Sequence, residues 1–75
     1  MKKKASSIPF SGTPEQEAQL RAVIAEHQGD KGAALPVMQA AQEIYGYLPL
    51  EVQEIIAEGL GLPVEEIYGI ATFYA

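Results

Sequence analysis

Seventy-five residues, 48% of them apolar, make one domain with a thin core, because a chain this short buries only about 60% of its unfolded surface. Cysteine is absent, which excludes disulfides, cysteine-ligated zinc and cysteine-held iron–sulfur clusters within the chain. Ten acidic residues against five basic ones give a net charge of −5, and three of the basics are Lys2, Lys3 and Lys4, so the remainder is more acidic still and repels nucleic-acid phosphate.

No apolar run approaches the ~18 residues of a membrane span. The opening MKKKASSIPF has a basic start but lacks the long apolar segment of a signal peptide. A cytoplasmic protein without membrane insertion is expected. Residues 1–12, rich in Lys, Ser and Gly and without periodicity, read as a flexible tail, and 13–75 as the folded domain.

The first helix is well marked at its start. Thr13 can cap it, Pro14 suits the first helical position, and Gln16 completes a capping-box pattern. Leu20, Val23, Ile24 and His27 then form one apolar stripe, flanked by a Glu17–Arg21 pair at i,i+4 spacing. Gly29 suits the stop.

Asp30 offers a cap for a second helix reaching about Tyr45. Its apolar positions, Ala34, Leu35, Val37, Met38, Ala41, Ile44 and Tyr45, span close to half the helical circle, which predicts a central helix touched by several neighbours. Pro36 removes a backbone donor, so this helix either starts late or bends there. Gly46 ends it, and Tyr47-Leu48-Pro49 connects to a third helix opened by Pro49. In that helix Val52, Ile55, Ile56 and Leu60 share one face and Glu51, Glu54 and Glu58 the other. Gly59 and Gly61 bring it to an end. A fourth helix opens at Pro63, with Val64, Ile67, Tyr68, Ala71 and Tyr74 on one side and Glu65-Glu66 in the first turn, where the helix dipole favours them. No segment alternates like a strand, so the expected fold is all-α, a small irregular bundle of about four short helices.

Catalytic signals are missing. Ser6, Ser7 and Ser11 lie in the expected tail, far from the only histidine, and no phosphate-binding glycine loop occurs. The Glu51/Glu54/Glu58 row reads as a solvated face, and His27 as a packed histidine near a helix end. No catalytic, cofactor-binding or metal-ligating residue is expected. The aromatics carry more information. Tyr45, Tyr47, Tyr68, Phe73 and Tyr74 gather at the glycine-containing joints and the chain end, which fits either core packing or an interface. The final run Ile70-Ala71-Thr72-Phe73-Tyr74-Ala75 has no cap or polar fringe, so the chain is expected to be a fragment or to dock its terminal aromatics.

Two segments carry a resemblance. Ala34-Leu35-Pro36-Val37-Met38-Gln39-Ala40-Ala41-Gln42-Glu43-Ile44-Tyr45-Gly46-Tyr47-Leu48-Pro49 and Gly61-Leu62-Pro63-Val64-Glu65-Glu66-Ile67-Tyr68-Gly69-Ile70-Ala71-Thr72-Phe73-Tyr74 together resemble the N-terminal helical domain of the small thioredoxin-like 2Fe–2S subunit family. That family includes the small iron–sulfur subunit of bacterial NADH:quinone oxidoreductase (NADH dehydrogenase, complex I) and its counterparts in NAD(P)-reducing hydrogenases and NAD-dependent formate dehydrogenases. The resemblance covers about residues 15–75. It implies a non-catalytic scaffold that docks on an FMN- and NAD-binding flavoprotein subunit and positions a C-terminal thioredoxin-like domain. The 2Fe–2S cluster is expected in that missing domain, whose four cysteines this chain lacks.

The resemblance also implies structural roles. Pro36 would set the bend of the central helix. Gly46, Tyr47, Leu48 and Pro49 would make a fixed turn next to Tyr45. Gly69 would admit a close-packed helix or chain beside Tyr68, and Thr72, Phe73 and Tyr74 would form the junction to the second domain. The alternative is a stand-alone helical interaction module unrelated to electron transfer. A helix-turn-helix nucleic-acid binder is disfavoured by the acidic faces of the third and fourth helices.

Overall fold

A computed structural model describes residues 12–74, with side chains through Phe73. Four helices follow one another: α1 (Pro14–Glu26), α2 (Ala34–Tyr45), α3 (Leu50–Leu60) and α4 (Val64–Tyr74). No strand occurs among the described residues, so the fold is all-α as expected. The expected tail lies outside the described residues apart from Gly12.

The start of α1 is the capping box read from sequence. Thr13 Oγ1 accepts from the Gln16 backbone N–H at 3.1 Å, and Gln16 Oε1 accepts from the Thr13 N–H at 2.9 Å. The other end of the Gln16 amide donates to Ile44 O at 3.2 Å, which ties the beginning of α1 to the end of α2. Arg21 and Glu17 pair at 2.9 Å, both side chains about half exposed. α1 ends at Glu26, earlier than Gly29 suggested, and residues 27–29 form a turn.

Asp30 does not cap α2. The turn continues through residues 31–33, the residue before the helix is Ala33, and no side chain caps it. Asp30 instead faces His27, Oδ2 to Nδ1, at 3.2 Å. The delayed start resolves the Pro36 conflict. Pro36 is the third residue of α2, in the first turn, where the missing N–H has no intrahelical acceptor to lose. It therefore fits the helix start, the late-start alternative. At the other end Gly46, at φ 86°, donates its N–H to Gln42 O at 2.7 Å, and the left-handed conformation that favours glycine stops the helix.

Pro49 stands just before α3 in extended conformation, so the helix opens one residue later than expected, and Pro63 likewise precedes α4. α3 closes at Gly61, φ 71°, with Leu62 N–H on Ala57 O and Gly61 N–H on Glu58 O, a Schellman arrangement that seats Leu62 against the core.

The core is contributed by every helix: Leu20 and Ile24, Val37, Met38 and Ala41, Val52 and Ile56, and Ile67. α2 packs on α1, α3 and α4, as its wide apolar face required, and α3 likewise touches the other three. α1 and α4 do not touch each other; the α2–α3 pair links them. Three apolar assignments change. Leu35 is 47% exposed rather than core-facing. Tyr68 turns outward, and Ile70 packs beside the core in its stead. Within this chain the helix-to-helix close approach is at Gly59, and no neighbouring helix lies against Gly69. A Cβ on Gly59 would stand 2.9 Å from Ile24 Cγ2, so this position lets α3 lie against α1, whereas a Cβ on Gly69 would meet nothing within 4 Å.

Candidate interaction surface

The turn after α2 and the outward side of α4 frame an open groove of ≈ 400 Å³. Tyr47 and Leu48 come from the turn, Tyr68, Ala71 and Thr72 from α4, Gln42 from α2 and Gln53 from α3. The groove forms because Gly46 turns the chain sharply enough to bring Tyr47 and Leu48 back over α3. On α4, positions 68 and 72 are one turn apart and so share a face.

Four of the residues singled out from sequence therefore meet here: Tyr47, Leu48, Tyr68 and Thr72. Tyr47 is 46% exposed and Tyr68 57%. The Thr72 hydroxyl donates to Gly69 O at 2.7 Å within its own helix. Phe73, 90% exposed, lies outside the groove lining. The Tyr74 side chain lies outside the described residues. Tyr45 divides from the other aromatics and packs half-buried against the core, where burial first and the Glu17 carboxylate second push its phenol pKa above the ordinary value, against a lowering by Arg21. Pro36 sits in the opposite end of α2, away from the groove, and Pro49 and Gly46 hold the turn without lining it.

Gln53 was missed by the sequence reading. It is only 6% exposed, its Nε2 donates to Leu48 O at 2.9 Å, and its Oε1 is buried without a hydrogen-bond partner. The signal was its position. Gln53 lies one turn before Ile56 and Ala57 and two before Leu60, on the apolar face of α3, where a buried amide is uncommon and needs partners.

A second, smaller hollow of ≈ 290 Å³ lies at the other joints, where His27, Asp30 and Glu66 are among the lining residues. Among the described residues no group of three His, Cys, Asp or Glu side chains is placed to hold a metal ion. No helix among them is long and apolar enough to cross a membrane. The chemistry on display is that of an uncharged aromatic and amide groove on an acidic body.

The site is thus an aromatic and amide groove on a cysteine-free four-helix domain. The comparison with known families specifies it further: residues 20–75 match the thioredoxin-like [2Fe-2S] ferredoxin family, and the chain belongs to that family. Among curated proteins, the NADP-reducing hydrogenase subunit HndA of Solidesulfovibrio fructosivorans is 39% identical over 44 residues, covering 59% of this chain and 26% of that protein. The chain thus spans about a quarter of the relative that it matches. No solved structure matches it. The residues present do not fit the family's cluster, because the chain has no cysteine to ligate iron.

Proposed function

We propose that this chain is the helical part of a small iron–sulfur subunit of an NAD(P)-linked oxidoreductase of the hydrogenase or complex I type. It docks on the flavoprotein subunit and holds a thioredoxin-like 2Fe–2S domain in position, and it carries no redox group itself. The complex works in the cytoplasm or on the cytoplasmic face of a membrane. One combination supports this reading most: a match to a 2Fe–2S family over residues 20–75 in a chain with no cysteine. The similarity to a hydrogenase subunit supports the NAD(P)-linked class. The exposed Tyr47, Tyr68 and Phe73 supply contact area of the kind interfaces use, and Gly69 and Thr72 lie on the same helix as two of them.

The test is co-expression of this chain with the flavoprotein subunit, followed by size-exclusion chromatography. Co-elution is expected, and the chain purified alone after iron–sulfur reconstitution is expected to stay colourless. Separate elution would refute docking, and bound iron would refute the redox-silent role.

A further inference from the structure

We propose that the groove between the α2–α3 turn and α4 is an anchor for an arginine on a basic segment of the flavoprotein partner, seated against Tyr47 and Tyr68 with an N–H donated to Gln53 Oε1. This rests on the docking reading above and names the chemistry of the docked segment.

Charge is the first argument. From residue 34 to residue 74 the chain carries six carboxylates, Glu43, Glu51, Glu54, Glu58, Glu65 and Glu66, and no lysine, arginine or histidine. Such a surface draws a cationic partner and repels an anionic one. Glu65 precedes Tyr68 by one turn and Thr72 by two on α4, and Glu43 lines a neighbouring concavity that shares Gln42 with the groove. The groove walls are uncharged, and the helices that carry them are acidic.

The walls then select the cation. Two half-exposed tyrosine rings offer negative faces, and Leu48 and Ala71 offer apolar contact for a long side-chain stem. Gln53 supplies an acceptor. Its Nε2 is committed to Leu48 O, and reversing the amide would set two oxygens against each other, so Oε1 is the atom without a partner. That oxygen is enclosed in a residue that lines the groove, and an entering donor reaches it by displacing part of the lining. A guanidinium meets all three demands, since it stacks flat on aromatic faces, donates in-plane hydrogen bonds and sheds its hydration more readily than an ammonium. A second copy of the chain is a weaker occupant, because two copies that each carry a net charge of −5 repel each other.

The experiment measures the affinity of the full protein for the flavoprotein subunit by calorimetry at low and high salt. Tyr68→Ala should weaken binding roughly tenfold with an unchanged melting temperature, and Tyr68→Phe, which keeps the ring face, should restore it to within about twofold. Gln53→Leu should weaken binding by a similar factor. Glu65→Gln combined with Glu43→Gln should flatten the salt dependence. Binding that ignores both salt and Tyr68→Ala overturns the anchor and leaves docking intact. No complex with the unaltered protein sinks docking and the anchor together. Self-association abolished by Tyr68→Ala would give the groove to a second copy and overturn the proposal.

Discussion

Gly59 and Gly69 are both helical glycines with opposite surroundings, and each sets a prediction. A methyl at Gly59 would press on Ile24 Cγ2 at 2.9 Å and Cδ1 at 3.0 Å. The first of these is fixed to a branched Cβ and cannot swing away alone. Overpacking costs about 1–3 kcal/mol against a helix-propensity gain of about 1. Gly59→Ala should therefore lower the urea midpoint, and Gly59→Val should lower it further. Gly69 has open space, so Gly69→Ala should raise stability by about 0.5–1 kcal/mol. The same change should weaken docking if a partner chain approaches there, and unchanged affinity would remove Gly69 from the interface. Tyr45 sets a pH dependence. Its folded-state pKa is raised, so the folded chain holds the phenol proton more tightly than the unfolded chain does. Stability from this group is intact below about pH 10 and is lost as pH rises through the folded value. Denaturant titrations across that range should show an alkaline decline that Tyr45→Phe flattens.

At the scale of elements, the two residues that read as N-caps behave differently. Thr13 makes a reciprocal pair of hydrogen bonds with Gln16, and Thr13→Ala should cost about 1 kcal/mol. Asp30 caps nothing, and its contact with His27 is exposed, so Asp30→Ala should change stability by less than about 0.5 kcal/mol. Thermal melts of the two variants separate these outcomes. The contrast explains what was legible here. A capping box is written entirely in four adjacent residues, so sequence suffices. At Asp30 the same residue type precedes a further turn, and only the packing of Ala33, Ala34 and Val37 against the core sets the helix start at Ala34. The Schellman stop at Gly61 and the left-handed Gly46 are again local, and both fell where the sequence placed them.

For the whole molecule, the core is small enough that one truncation should nearly exhaust it. Met38 is fully buried near the middle of α2, the helix that packs on all three others. Met38→Ala should cost about 2–5 kcal/mol, comparable with the total stability of a small domain, and circular dichroism should show partial unfolding at room temperature. The groove, too, belongs to the whole molecule, since its walls come from three helices and a turn. Tyr47, Leu48, Tyr68 and Thr72 were singled out separately, from aromatic content and resemblance. Periodicity gave no sign that Tyr68 faces outward, because residue 68 lies at the edge of the apolar stripe and the decision between Tyr68 and Ile70 depends on how α4 is rotated against α2 and α3.

The amino-acid sequence by itself determined the class, the four helices, the glycine stops of α2 and α3 and the absence of any cysteine to hold a cluster, because each of these is set by composition or by residues within a turn of one another. Tertiary structure alone decided which glycine admits a neighbouring helix, where Asp30 points, and that a glutamine on the apolar face of α3 is buried with an unused oxygen in a groove shared with two exposed tyrosines. Those features depend on the distance and rotation between elements far apart in the chain, and a one-dimensional pattern does not encode them separately from the packing that fixes them.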